Sequence, residues 1–208
     1  MPLQNYITAS TVITPGTIFK DQKVVFEAAA AHVTDFLIAA YQHFEIKYSR
    51  FYKMDNLGKL GWLAAEIMLK DNAVSERYDP YDIGVVFSNA NSSLDTDIKY
   101  YDSTKDIASP ALFVYTLPNI VIGEICIRHH FKGENSFFIF DKFDAAFIEH
   151  NVNGLLNNDT LQACICGWVE VTGDQYKAAL YLVEKSGNKN LVTFDEENIT
   201  KIYQLENG

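Results

Sequence analysis

Apolar and polar positions along the chain fall into two rhythms. Gln4 to Gly16, QNYITASTVITPG, alternates and is rich in Val, Ile and Thr, which predicts a strand ending at the turn pair Pro15-Gly16. Asp21 to Phe44 runs through Ala and Leu and reads as a helix. Met54 to Asp71 is a second helix, with Leu57, Leu60, Ala64, Ile67 and Met68 on one face. Tyr81 to Ala90 is short and almost wholly apolar, the pattern of a strand buried on both sides.

Thr116 to Gly133 predicts a third helix with end signals at both termini. Thr116 is its expected cap, Pro118 sits in the first turn, and Arg128, His129, His130 and Lys132 crowd the last turn before Gly133. Asn135 to Phe140, NSFFIF, reads as a strand. Asp141 to Leu156 reads as a helix capped by Asp141. Ala163 to Thr172 and Lys177 to Ser186 are two further strands with Gly173-Asp174 near the turn, and Phe194 to Gly208 holds a short final helix. Strands and helices alternate without repeats or a linker, so residues 1–208 are expected to form a single α/β domain.

Composition narrows the class. An apolar content of 48% supports a sizeable core, and the apolar runs are too short and too interrupted to span a membrane. A net charge of −10 argues against nucleic acid and against an acidic membrane surface as partners. The N-terminus lacks a basic segment followed by an apolar one, and the three cysteines do not make a disulfide framework; a cytoplasmic protein is the expectation.

Few residues look chemical on their own. His129 and His130 are neighbours on a helix and point in different directions, so a shared ligand is not expected; the helix C-terminus suits their charge. Cys164 and Cys166 face the same side of a strand but no further ligands complete a metal set, and Cys126 lies among Ile residues; all three read as small buried side chains. No phosphate loop, dinucleotide fingerprint or nucleophile elbow occurs. Ser88 to Asp97 is a polar loop after a buried strand, where α/β folds often place sites, though most such loops are ordinary surface. Neither a metal nor a cofactor is expected.

Four stretches carry a resemblance to β-ketoacyl synthases: Tyr6 to Gly16 (YITASTVITPG), Ser49 to Asp71 (SRFYKMDNLGKLGWLAAEIMLKD), Ser109 to Ser136 (SPALFVYTLPNIVIGEICIRHHFKGENS) and Cys164 to Val171 (CICGWVEV). The third is the most specific, with its Ser-Pro, Phe, Leu-Pro-Asn, mid-helix Gly and closing Lys-Gly. The resemblance implies the N-terminal half of a thiolase-like fold: a mixed, mostly parallel sheet of about five strands with helices on both faces. The family's second half, which supplies two catalytic histidines, has no match here.

In the family a nucleophilic Cys follows the matching Gly by nine residues. Counted from Gly133, that position is Lys142, flanked by Asp141 and Phe143 in place of small residues. A helix N-terminus favours a thiolate and disfavours an ammonium, so the position is not expected to be catalytic. The resemblance therefore implies a non-catalytic subunit of the chain-length-factor kind. Such a subunit pairs with an active synthase in fatty-acid, polyketide or polyene biosynthesis.

In the family the strand matching NSFFIF forms the dimer interface, which marks Asn135, Phe137, Phe138 and Phe140; an internal core position for the same phenylalanines is equally open. Phe113, Tyr115, Ile120 and Phe143 are candidates for bordering the acyl tunnel. An acidic chain is not expected to attract an acidic acyl carrier protein broadly, so that docking falls to a local basic patch or to the partner. Two alternatives stand beside this reading. One is an acyltransferase or decarboxylase using Lys142 or a cysteine; the other is a stand-alone or homodimeric acyl-binding domain.

Overall fold

The computed structural model of the chain describes residues 4–30, 32–185 and 192–206. The chain opens with strands β1 (Tyr6–Thr14), β2 (Thr17–Lys20) and β3 (Lys23–Glu27) and helix α1 (Val33–His43). Helices α2 (Asn56–Leu69) and α3 (Val74–Arg77) precede strand β4 (Ile83–Asn89). Three helices follow, α4 (Leu94–Ser103), α5 (Pro110–Val114) and α6 (Ile120–His129). Then come β5 (Asn135–Ile139), α7 (Ala145–Asn157), β6 (Ala163–Thr172), β7 (Gln175–Glu184), β8 (Val192–Thr193) and α8 (Glu196–Tyr203). Ala31 and Ser186, which the expected helix and strand included, lie outside the described residues, as does the end of the tail.

All strands join one sheet in the order β3-β2-β1-β7-β6-β4-β5, with β8 pairing β1. The expectation of about five mostly parallel strands is corrected: there are eight among the described residues, and only β4 pairs in parallel, with β5 and β6. The reason is local. Strands β1-β2, β2-β3 and β6-β7 are antiparallel neighbours joined by tight turns, and β1 returns antiparallel to β7. Gly173, at φ +61, makes the β6-β7 turn.

The expected helix over Asp21 to Phe44 is also corrected. Its first part is β3, entered through Asp21 and Gln22, both at positive φ, a two-residue hairpin turn. The helix starts only at Val33, where the Asp174 carboxylate accepts from the backbone N–H. Helix α7 is likewise capped by Asp144, which accepts from Phe147 N at 2.8 Å, one turn later than Asp141. Helix α6 begins at Ile120; the Thr116 hydroxyl donates backwards to Phe113 O instead of capping it. His130, not Gly133, takes the left-handed position that ends it. Gly133 serves a close approach: its N–H donates to Ile83 O, and a Cβ there would lie 2.5 Å from that oxygen.

Period-two alternation splits the core. Ile165 and Val169 of β6 and Leu180 and Leu182 of β7 face one cluster with α1, α2 and α6. Cys164, Cys166, Ala179, Tyr181 and Val183 face a second cluster with α7 and α8. Helix α2 is buried at every position except Asn56 and Glu66, because it lies between the sheet and its helical neighbours. Its Gly61 meets Val121 of α6, where a Cβ would sit 2.6 Å from the valine methyl.

Candidate functional site

The candidate site is the corner between β5 and α7. Among the described residues β5 pairs only with β4, in register from Val85 opposite Asn135 to Asn89 opposite Ile139, so it is a sheet edge. Phe140 N donates to Asn89 O at 2.9 Å and closes the pairing. The chain then turns through Asp141, Lys142 and Phe143 to the Asp144 cap.

Lys142 is exposed and forms no ion pair among the described residues. It is not enclosed in the apolar surroundings in which a lysine amine becomes a nucleophile. Phe143 turns inward instead. Its ring stacks on Tyr203 of α8 at 3.9 Å and 6°, and meets Trp168 of β6 edge-on at 6.0 Å. A cleft of about 500 Å³ lies between the α7 N-terminus and α8, lined by Lys142, Phe143, Asp144, Thr200 and Tyr203 among others. The corner thus has a shaped wall, and no cysteine or histidine among the described residues lines it.

The phenylalanines of β5 divide between the faces. Phe137 packs on the α2 side; Phe138 and Phe140 meet Phe147 of α7 at 4.8 and 4.7 Å. All three are half-buried, while Asn135 and Ile139 are exposed. The four residues singled out for the acyl path are not brought together within this chain. Tyr115 packs on the α2 side of the sheet and Phe143 on the opposite side. Phe113 is 59% exposed, against Tyr100, and Ile120 is half-buried at the start of α6.

Two features escaped sequence reading. The first is a buried polar cluster under α4 and α5. Asp55 caps α2 through Gly58 N and accepts from the Thr96 hydroxyl at 2.6 Å. Burial pushes its carboxyl above the usual range, against the hydrogen bonds from Thr96 and Gly58. Glu124 of α6 accepts from Arg50 at 3.1 Å and from the Tyr115 hydroxyl at 3.3 Å. Tyr115 is pushed up to about 12, first by burial and then by the Glu124 charge. The Lys59 ammonium donates to Met54 O, and burial lowers its pKa. Lone polar residues inside an apolar helix leave no periodic signal. The second feature is a run of exposed apolar side chains, Leu94, Ile98 and Tyr101 on α4, then Ile107, Phe113, Val114 and Leu117. The spacing of the first three marks a helix face that starts inside the polar loop read over Ser88 to Asp97 and runs beyond it.

Cys164 and Cys166 are buried, and burial pushes the Cys164 thiol up to about 12 and Cys166 well above its usual value. No group of three His, Cys, Asp or Glu among the described residues is placed to hold a metal ion. No helix among them is long and apolar enough to cross a membrane.

No protein-family model and no curated protein matches the chain. Solved structures do. The ishigamide ketosynthase/chain length factor superposes with a TM-score of 0.64 at 14% identity, over 90% of this chain and 64% of that one. A type II polyketide synthase acyl-carrier protein in complex with its ketosynthase gives 0.60 at 14%, over 88% and 63%. A ketosynthase in complex with its chain length factor from Xenorhabdus doucetiae gives 0.57 at 12%, over 89% and 81%. The chain has the fold of ketosynthases and chain length factors. It spans less than two thirds of the first two of these structures.

Proposed function

We propose that the chain is a non-catalytic, β-ketoacyl-synthase-like subunit of the chain-length-factor kind. It pairs with an active synthase in fatty-acid, polyketide or polyene biosynthesis. The observation that carries this reading is an uncharged edge strand, β5, running into a corner that holds the exposed Lys142 where the resemblance places a nucleophile. The fold shared with ketosynthases and chain length factors supports it, and so does the apolar surface from Leu94 to Leu117, which is of the kind that marks an interaction site.

In this pairing Asn135, Phe137, Phe138 and Phe140, with the helix after Leu117, meet the partner. Phe113, Tyr115, Ile120 and Phe143 border the space in which the acyl chain grows, some of them only once the partner closes it. The acyl carrier protein is engaged mainly through the synthase, and the assembly works in the cytoplasm.

Co-expression with a synthase encoded beside its gene tests the reading. A stable heterodimer is expected, with product length altered when Phe113 or Ile120 is changed to Ala. Failure to co-purify with that synthase would sink it. Incubation of the chain with acyl thioesters, read by intact mass, is expected to leave Lys142 and the cysteines unmodified. An acyl adduct with turnover would point to an acyltransferase instead.

A further inference from the structure

Away from β5, a cleft of about 390 Å³ opens between the loop after α1, the end of α2 and the last turn of α6. Its volume lies in the range of small-molecule sites. Backbone hydrogen bonds brace its walls. Glu45, at φ +53, turns the chain out of α1; Ile46 N donates to Tyr41 O, and Tyr48 N donates to the Tyr41 hydroxyl at 2.6 Å. On the other side Asn72 N donates to Leu69 O at 2.8 Å and closes the end of α2.

The lining combines an apolar floor, Phe44, Ile46 and Leu69, with a cationic rim of Lys47, Lys70 and Arg128. Against these three cations stand Glu45 and Glu66, which leaves an excess of one positive charge, 3 − 2 = 1, before His129 is counted. That excess occurs in a chain of net charge −10. Glu66 is already committed. Arg128 Nε donates to it at 3.2 Å and His129 Nε2 lies 2.7 Å from it. Burial opposes its charge, but the His129 and Arg128 contacts outweigh burial and hold the carboxyl below the usual range.

Lys47 has no ion pair among the described residues, and the Lys70 ammonium only overlies the Phe44 ring, at 5.7 Å. The negative ends of α2 and α6 would repel an anion, yet the α2 carbonyls are partly covered, Lys70 O by the Lys20 ammonium and Leu69 O by Asn72. Two unpaired lysines above an apolar floor suit a ligand with an anionic head and an apolar body.

We propose that this cleft is a binding site for a small amphipathic carboxylate, its head between Lys47, Lys70 and Arg128 and its tail on Phe44, Ile46 and Leu69. The site shares no lining residue with β5, but its Arg128 and His129 lie on the helix that the proposed pairing also uses, so the titration is made on the chain alone and its outcome is read apart from the pairing.

Decanoate, below the concentration at which it self-associates, is the probe. Calorimetric titration into the full chain is expected to give one site per chain, with amide shifts of labelled protein confined to the surroundings of Ile46, Leu69 and Ser75. Lys47→Glu and Lys70→Glu are each expected to weaken binding at least about tenfold, because a reversed charge beside the head turns attraction into repulsion. Lys201→Glu, on α8, is expected to leave it unchanged. Decan-1-ol or decylamine binding there as tightly as decanoate would overturn the proposal. So would decanoate binding that ignores both lysine reversals, shifts that map elsewhere, or no binding at all.

Discussion

The strand order runs from β3 to β5, two edge strands of equal length that are built differently. β3, Lys23–Glu27, carries a charge at each end and pairs with β2 through a register shift between Ile18 and Phe19. Charged ends and a bulge are the usual ways a protein keeps an open edge from pairing with another chain. β5, Asn135–Ile139, has no charged side chain, runs in unbroken register with β4, and continues into Phe140. An edge left open in this way is available for pairing with another chain. Strand chemistry thus favours the β5 side for the pairing proposed above.

The sharpest test puts a charge on each edge in turn. Ile139→Lys on β5 is expected to weaken pairing with the synthase by more than about a hundredfold, since burying an unpaired ammonium costs several kcal/mol. Val24→Lys on β3, a residue of nearly equal exposure (49% against 48% for Ile139), is expected to leave pairing intact. Size-exclusion chromatography of the co-expressed pair reads both. Equal losses, or none for Ile139→Lys, would erase the distinction between the edges.

A second variant asks what holds β5 in place before a partner arrives. Phe138 and Phe140 rest on Phe147 of α7. Phe147→Ala is expected to cost about 2 kcal/mol in urea unfolding, below the usual range for a core Phe because the ring is only half-buried. It should also loosen pairing, as the edge would lose its backing. Stability lost with pairing unchanged would mean that the strand is positioned by β4 alone.

The reverse experiment removes protection from β3. Lys23→Ile with Glu27→Ile gives that edge the uncharged character of β5. Concentration-dependent self-association is expected by light scattering, of modest strength because the register shift with β2 remains. A double variant that stays monomeric would show that the bulge suffices.

How far all this was legible in the sequence depends on the element. β4, β6, β7 and α2 stand out because their burial matches their pattern. β3 was hidden because the Ala run from Ala28 pulls the helical reading back over Lys23-Val24-Val25-Phe26, and because its turn uses Asp21-Gln22 at φ 49 and 64 rather than an Asn-Gly or Asp-Gly pair. The mostly parallel sheet is what the family resemblance implies for an alternating α/β chain, and short antiparallel hairpins at both ends of the chain override it. At the corner, the family resemblance, counted from Gly133, points to Lys142, but nothing local announces that Phe143 turns inward to a tyrosine sixty residues on. The Asp55–Thr96 and Glu124–Tyr115 contacts join distant segments and leave no trace in either segment's own pattern.

The smallest effect lies behind the β3 edge, where the β6-β7 turn anchors α1. Asp174 accepts from Val33 N at 3.0 Å and pairs with His32 Nδ1 at 3.0 Å. The Asp174 carboxyl is lowered from 3.8, first by the Val33 hydrogen bond and then by His32. Its contribution to stability is therefore present above the unfolded value and is lost as pH falls through the lower folded one. The His32 imidazole is raised from 6.5, first by its hydrogen bond to Asp174 and then by that charge. Its contribution is complete below 6.5 and is lost as pH rises through the folded value. The two overlap between 3.8 and 6.5, where the anchor is strongest.

Asp174→Ala should therefore lower the melting temperature most within that window and less at alkaline pH, where only the Val33 bond is left to lose. Added salt should shrink the difference, because both side chains are exposed. A pH-independent difference would assign the whole effect to the helix cap. No difference at any pH would leave α1 held by its apolar face alone, and the β3 edge would then owe its backing to Phe36 and Phe44 packing on Phe26.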